Sequence, residues 1–105
     1  MRLQIDVAVY ADLAAFIAYL KIQRDGSVGR LRHEFNAALG LIESQPRVYS
    51  LAEDECPGWE VREYHIERFR QRLLYFIDGQ RIMLFAMLHT SRRPGAWHRR
   101  LDTYQ

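Results

Sequence analysis

The apolar positions of the N-terminal part predict one short strand followed by two helices. Leu3, Ile5 and Val7 alternate with Gln4, Asp6 and Ala8, which predicts a strand with one buried face. The next apolar residues recur at helical spacing and predict a first helix over residues 10–24. A second apolar stripe of the same period predicts a helix over residues 28–45.

Signals at the helix ends predict a helical hairpin. Asp12, near the start of the first helix, favours the helix dipole, and Asp25-Gly26 supplies its end. Ser27 is a suitable cap for the second helix, which ends before Pro46. Because the connection is short, we expect the two helices to be antiparallel neighbours.

The C-terminal half predicts a loop, three strands and a short helix. Turn-forming residues between positions 46 and 58 predict an irregular loop. The alternating and apolar runs that follow predict strands over residues 60–66, 69–77 and 80–90. Asp78-Gly79 predicts a tight hairpin turn between the last two, and Pro94 favours a short helix over residues 94–101.

These elements predict an α+β fold of order β-α-α-β-β-β, with a mainly antiparallel sheet and a short C-terminal helix or tail. The length of 105 residues, with 49% hydrophobic and 27% charged residues, is typical of a single globular domain over residues 1–105. A chain this short buries a small share of its surface, so we expect a surface site for a macromolecule and no cofactor.

Counting outward from a two-residue turn at Asp78-Gly79 sorts the last two strands into two faces. The first face is apolar and is expected to pack under the helices: Phe69, Leu73, Tyr75, Ile77, Ile82, Leu84, Ala86 and Leu88. The second mixes arginines with Met and aromatic residues: Arg70, Arg72, Leu74, Phe76, Arg81, Met83, Phe85, Met87 and His89. An exposed apolar surface among arginines usually marks an interaction site, so we expect the second face to bind a partner.

The same counting across Glu67-Arg68 extends the second face to the preceding strand. A two-residue turn there pairs Glu63 with Arg72 and places His65 on the same side of the sheet. The simpler interpretation is a cross-strand ion pair between Glu63 and Arg72 that has no role beyond solubility.

The basic residues are concentrated in the C-terminal part. The net charge is only +2, yet every basic residue except Lys21 is an arginine, and eight arginines lie between Arg68 and Arg100. Arginine suits phosphate and carboxylate partners, which favours a nucleic acid or an acidic protein. A codon bias toward arginine explains the composition equally well.

The cysteine, the histidines and the N-terminal residues argue against a disulfide-bonded, metal-binding, secreted or membrane-spanning protein. The single Cys56 cannot form an internal disulfide, and the four histidines lack the spacing of metal ligands, so we expect no metal site. The first residues include charges and no long apolar run, which argues against a signal peptide or a membrane span. We therefore expect a cytoplasmic protein.

Several motifs resemble the RelE/ParE superfamily, the toxins of type II toxin-antitoxin (plasmid stabilisation) modules. The likeness spans nearly the whole chain. It includes Ala11-Asp12-Leu13 before a helix, a proline at Pro46 after the second helix, PGWEVREY at 57–64, RLLYFIDGQRIMLFAMLH at 72–89 and SRRPGAW at 91–97. The resemblance implies an N-terminal strand, a helical hairpin and a curved, mainly antiparallel sheet. It also implies growth inhibition that a cognate antitoxin neutralises in a hetero-oligomer.

The superfamily implies two mechanisms. Members similar to RelE cut mRNA on the ribosome. In this chain the resemblance matches Arg72 to an arginine that stabilises the transition state and places His89 near the position of the terminal acid, and Glu63 or Glu60 would then be the base. However, the chain continues well past His89, whereas the family's catalytic residue lies close to the chain end.

Members similar to ParE inhibit DNA gyrase without chemistry of their own, and the motif after the last strand slightly favours this mechanism. The resemblance then implies a structural His89 and a gyrase contact through Arg92, Arg93, Trp97, Arg99 and Arg100. The antitoxin would cover the arginine- and methionine-rich face, namely Arg70, Arg72, Arg81, Met83, Phe85 and Met87. A third possibility is an antitoxin-binding module that is not toxic.

Overall fold

The computed structural model describes residues 1–105 and confirms the predicted α+β fold and order of elements. The elements are β1 (Arg2–Ile5), α1 (Val7–Ile22), α2 (Val28–Ser44), β2 (Val61–Ile66), β3 (Gln71–Asp78) and β4 (Arg81–His89). The strands form one sheet in the order β1-β4-β3-β2, in which β1 is parallel to β4 and the other pairs are antiparallel. None of the helices combines the length and hydropathy that a membrane span requires.

Helix α1 begins earlier than the periodicity predicts. Asp6 is its cap, because the Asp6 carboxylate accepts a hydrogen bond from the backbone N–H of Ala8 at 2.8 Å. The strand therefore ends at Ile5, and Val7 is an exposed helical residue instead of the strand residue that the alternation predicts. Helix α2 starts after Ser27 as predicted, but the Ser27 hydroxyl bonds to Asp25 and does not cap the helix.

Both helices pack on one face of the sheet, where they form the first core. Its members come from the apolar stripes of α1 and α2 and from the facing strand residues. The most deeply buried are Val9, Leu31, Ala38, Ile42, Leu73, Tyr75, Ile82 and Leu84. The Tyr75 hydroxyl donates a 2.6 Å hydrogen bond to the carbonyl of Pro46, which fixes the start of the long loop against this core.

The register between β3 and β4 differs from the prediction at the turn and again in the middle. The central turn residues are Gly79 and Gln80, not Asp78 and Gly79, with φ +61° at Gly79. Farther from the turn the register shifts at a bulge, so that Tyr75 pairs with Leu84 while Leu74 pairs with Ala86.

In β4, every residue after the bulge lies on the face opposite to the one that the sequence predicts. Met87, predicted on the second face, lies in the first core, whereas Ala86 and Leu88 lie on the opposite side. His89 pairs with Gln71, and Arg72 pairs with Leu88, so His89 and Arg72 point to opposite faces. The prediction that His89 shares a face with Arg72 is therefore wrong, because residue counting assumes an unbroken ladder.

The connection between β2 and β3 is also longer than predicted, but it preserves the faces. A 3₁₀ segment (Glu67–Phe69) and Arg70, at φ +52°, form a four-residue link. Glu63 consequently pairs with Leu74 and not with Arg72. Since the link still has an even number of residues, Glu63 and Arg72 share a face as predicted.

The second face of the sheet is buried, contrary to the prediction of an exposed interaction surface. The loop before β2 and the C-terminal segment cover it and form a second core with members such as Ala52, Leu74, Phe76, Phe85, Trp97 and Leu101. The predicted C-terminal helix over residues 94–101 is instead a 3₁₀ segment, His98–Tyr104. Five of the predicted contact residues are buried: Arg72, Met83, Phe85 and Trp97 on this face, and Met87 in the first core.

Candidate functional site

Asp54 is the centre of the main polar cluster on the second face. Its carboxylate accepts two hydrogen bonds from the Arg72 guanidinium, at 3.0 and 2.9 Å. The backbone N–H of Gly95 and the indole N–H of Trp97 donate to the same carboxylate, at 2.9 and 2.7 Å. Asp54 therefore joins the long loop, β3 and the C-terminal segment.

Electrostatics keep Asp54 ionised. The hydrogen bonds from Arg72, assisted by those from Gly95 and Trp97, outweigh the cost of burial and hold the pKa of Asp54 well below its usual range. The same hydrogen bonds raise the pKa of Arg72 above its ordinary value. Both side chains are buried, with exposed fractions of 8% for Asp54 and 10% for Arg72.

Arg72 has a second carboxylate partner. Glu63, on the neighbouring strand, accepts a hydrogen bond from Arg72 Nη1 at 3.1 Å. Both terminal nitrogens of Arg72 are thus occupied by protein carboxylates, and its Nε is buried without a hydrogen-bond partner. The predicted ion pair between Glu63 and Arg72 is present, but it belongs to a triad with Asp54.

A cleft of about 420 Å³ opens beside this triad. Its walls come from the loop before β2, from β2 and β3, and from the segment after β4: Glu53, Asp54, Glu63, His65, Arg72, Thr90, Arg92 and Pro94. With His65 neutral, three carboxylates and two guanidinium groups leave the cleft with a formal charge of −1. Such a cleft does not favour the phosphates of a nucleic acid.

Within the cleft, Glu63 and His65 form a hydrogen-bonded pair. Their side chains lie 2.6 Å apart, between Glu63 Oε1 and His65 Nε2, and the His65 side chain is 37% exposed. Arg92 lines the same cleft, is exposed and takes part in no ion pair. A carboxylate that orients an imidazole next to a free guanidinium is an arrangement capable of proton transfer near an anionic group.

The other predicted catalytic residues do not join this cleft. His89 Nδ1 accepts a hydrogen bond from the backbone N–H of Ser91 at 3.0 Å and lies 2.7 Å from its hydroxyl. The alternative base, Glu60, accepts hydrogen bonds from Arg47 and Arg62, which lower its pKa. The structure thus brings Glu63 to Arg72 and leaves His89 and Glu60 elsewhere.

The predicted partner-binding arginines have different surroundings. Arg70, Arg92 and Arg93 are exposed, whereas Arg72 is buried in the triad. Arg81 is half-buried, lies 3.5 Å from Asp78 and places its guanidinium carbon 5.7 Å from the centre of the Phe76 ring.

The C-terminal segment is fixed by its own contacts. The Arg100 guanidinium forms hydrogen bonds of 2.6 and 2.9 Å with the Asp12 carboxylate, which raise the pKa of Arg100. Asp12 also accepts a hydrogen bond from the backbone N–H of Met87. Met87 lies in the part of β4 that does not pair with β1. Asp12 and Arg100 thus act in tertiary packing, while the neighbouring Arg99 is exposed.

Sequence reasoning missed Asp54, although the site is built around it. Asp54 lies in a stretch of acidic residues within a predicted irregular loop, and nothing in its neighbourhood distinguishes it from Glu53 or Glu55. The burial of Arg72, which calls for a carboxylate partner, would have indicated one, but that burial is itself a product of the tertiary structure. No group of three or more His, Cys, Asp or Glu side chains is arranged to hold a metal ion.

Comparisons of the chain with family models, curated proteins and solved structures found no match.

Proposed function

We propose that the chain is the toxin of a type II toxin-antitoxin module, acting in the cytoplasm and neutralised by a cognate antitoxin. Two observations support the proposal. The ordered motifs resemble those of the RelE/ParE superfamily, and the β-α-α-β-β-β order with a mainly antiparallel sheet agrees with the fold that this resemblance implies. Within the superfamily we favour the ParE-like mechanism, in which the toxin inhibits DNA gyrase.

The state of Arg72 is the observation that carries this preference. A nuclease arginine must offer its charge to the phosphorane in the transition state. Arg72 already binds Asp54 and Glu63 through both terminal nitrogens, so its charge is compensated within the protein. His89, the expected acid, points to the other face of the sheet.

The exposed arginines that follow β4 are the proposed gyrase contact. Arg92, Arg93 and Arg99 are exposed on a segment that buried Trp97 and paired Arg100 hold against the sheet. A fixed segment with exposed guanidinium groups loses little conformational entropy when it binds. Trp97 acts here as an anchor and not as a contact.

An mRNA endonuclease similar to RelE is the second candidate, and the Glu63–His65 pair favours it. In that mechanism His65, oriented by Glu63, accepts the ribose 2′-OH proton, and the 2′ oxygen forms a bond to the scissile phosphorus, whose phosphate Arg92 binds. The bond from phosphorus to the 5′ oxygen breaks, and the 5′ oxygen leaves with a proton from water. The sequence prediction assigned the chemistry to Arg72, to His89 and to Glu63 or Glu60 as the base, so of these residues only Glu63 keeps a role.

Induced expression without antitoxin separates the candidates. Within minutes of induction, mRNA integrity and gyrase cleavage complexes are measured in the same culture. The proposal expects intact mRNA and trapped gyrase complexes. Codon-linked mRNA cuts without gyrase cleavage complexes would reject it in favour of the nuclease, and normal growth with neither effect would indicate a non-toxic antitoxin-binding module.

Point variants then test which residues are needed for toxicity. His65→Ala should leave toxicity unchanged under the proposal and abolish it for a nuclease, whereas Arg93→Ala should reduce toxicity only under the proposal. Arg68→Ala, another exposed arginine, is the matched control for Arg93. Arg72→Ala is unsuitable because it leaves buried carboxylates unpaired and destabilises the fold.

A further inference from the structure

Helix α1 is apolar on both sides, although only one side packs on the protein. Val9, Leu13, Ile17 and Leu20 form its buried stripe. Outside this stripe the helix exposes four large residues: Val7 at 79% and Ile22 at 77% lie in line with the alanines, and Tyr10 at 50% and Tyr19 at 54% lie on the two flanks of that line. Because helices with no polar face are normally buried all round, this outer face is expected to have a partner.

The outer face reads the same in both directions along the helix. About the midpoint between Ala14 and Ala15, every exposed residue except Lys21 has a counterpart of the same kind at the same distance. The pairs are Val7 with Ile22, Tyr10 with Tyr19, Ala11 with Ala18, and Ala14 with Ala15. A two-fold contact needs a patch that complements itself, and this pattern provides one because like residues meet across the axis of an antiparallel pair.

We propose that α1 packs antiparallel against α1 of a second copy of this chain, with the two-fold axis next to Ala14 and Ala15. The alanines on both sides of the axis allow the helices to approach closely. At each end, Val7 of one copy lies level with Ile22 of the other, and their apolar side chains exclude water. The antiparallel arrangement also places the positive end of one helix dipole beside the negative end of the other.

A groove beside the alanines accommodates a tyrosine of the second copy. It has a volume of about 420 Å³, and Ala14, Ala18 and Lys21 of α1 form part of its wall together with Arg32 of α2. In the antiparallel pair the second copy's Tyr10 lies level with Tyr19 and therefore beside Ala18. Lys21 is the only charged residue on the outer face, and its long stem keeps the ammonium group in water.

The size of the face sets the expected affinity. Helix α1 has 16 residues and is therefore about 24 Å long at 1.5 Å per residue. A helix pair of this length lies at the small end of specific interfaces, about 1,200 Å² in total, so we expect a dissociation constant in the micromolar range. The contact lies on the helical side of the sheet, away from the cleft beside Arg72, and does not depend on the proposed function.

Sedimentation of the purified chain across a range of micromolar concentrations tests the dimer. We expect a concentration-dependent dimer, and Ala15→Glu should weaken it at least about 100-fold because the two new carboxylates meet near the axis. Ala37→Glu, at an exposed alanine of α2, is the matched control and should leave the dimer unchanged. A wild-type chain that stays monomeric, or a dimer that Ala15→Glu leaves intact, would overturn the proposal.

Crosslinking gives a second, independent measurement. In a Cys56→Ser background, mild oxidation should join two Ala15→Cys chains, since these positions face each other across the axis. Ala37→Cys in the same background should stay unlinked. Equal crosslinking at both positions would contradict the antiparallel pair.

Discussion

Asp54 and Arg72 compensate each other's charge inside the protein, and this pairing decides what each can do. Arg72 lies at the position expected of a catalytic arginine, yet its hydrogen bonds to Asp54 and Glu63 make it part of the folded structure. A group whose charge is already neutralised gains little by turning to a substrate, because doing so leaves buried carboxylates unpaired. The residue type alone is thus a poor guide to its role.

Removing Asp54 should destabilise the fold strongly. Asp54→Ala leaves the Arg72 guanidinium buried without its main partner, and we expect a loss of about 3–5 kcal/mol in the free energy of unfolding. Urea titration followed by circular dichroism measures the loss. The neighbouring exposed Glu53 supplies the control, since Glu53→Ala should stay within about 0.5 kcal/mol of wild type. Equal stability of the two variants would show that the triad is not structural.

The lowered pKa of Asp54 predicts a specific acid sensitivity. Its hydrogen bonds, foremost those from Arg72, lower the pKa in the folded state. Their contribution to stability is therefore complete above the unfolded pKa of about 3.9 and is lost as the pH falls toward the folded value. Between about pH 5 and pH 2 the wild type should lose more free energy of unfolding than Asp54→Asn, measured by urea titration at each pH. Parallel losses in both proteins would contradict this assignment.

At the scale of elements, two connections and one bulge decide which residues face which core. The four-residue link before β3 preserves the faces, whereas the bulge in β4 exchanges them. Consequently Glu63 meets Arg72, and His89 does not. An active site predicted on consecutive strands depends on every such irregularity between its members.

The same substitution at two glycines should have opposite effects on stability. Gly79 has φ +61° in the β3–β4 turn, while Gly40 lies within α2, and an added Cβ meets no atom within 4 Å at either position. Gly79→Ala should cost about 1–2 kcal/mol because L-residues are strained at positive φ. Gly40→Ala should gain about 0.5–1 kcal/mol through its higher helix propensity. Thermal or urea unfolding measures both, and a Gly79→Ala variant as stable as wild type would reject the turn geometry.

At the scale of the whole molecule, the sheet separates two cores, and the C-terminal segment completes the second. Trp97 and Leu101 are buried against the face that β3 and β4 turn away from the helices. Removing the chain from residue 94 onward would therefore expose this core instead of removing a contact surface only. Point variants of exposed residues are the better test of gyrase binding.

The burial of Trp97 makes its truncation a direct test of the second core. Trp97→Ala removes a fully buried ring and its hydrogen bond to Asp54, so we expect a loss of about 3–5 kcal/mol in the free energy of unfolding. Arg99→Ala, at an exposed position two residues later, should change stability by less than about 0.5 kcal/mol. Urea unfolding of the two variants gives the comparison. A small effect at Trp97 would mean that the segment is not packed on the sheet.

The sequence by itself determined the α+β class of this protein and the order of its two α-helices and four strands. Apolar spacing located both helices and all four strands to within about three residues, because periodicity reflects local burial. It also placed Glu63 near Arg72, since the link before β3 has an even length. Element positions and link lengths depend on residues that are close to one another along the chain, which is why the sequence can predict them.

Only the tertiary structure decided what covers the second face and which residues surround Arg72. The bulge that separates His89 from Arg72, and the pairing of Arg72 with Asp54 18 residues away, have no local signature in the sequence. The second face appeared suited to a partner because its Met and Phe are apolar, yet the protein's own C-terminal segment fills that role. Hydrophobic burial is non-directional, so composition predicts that an apolar face is covered but not by which segment.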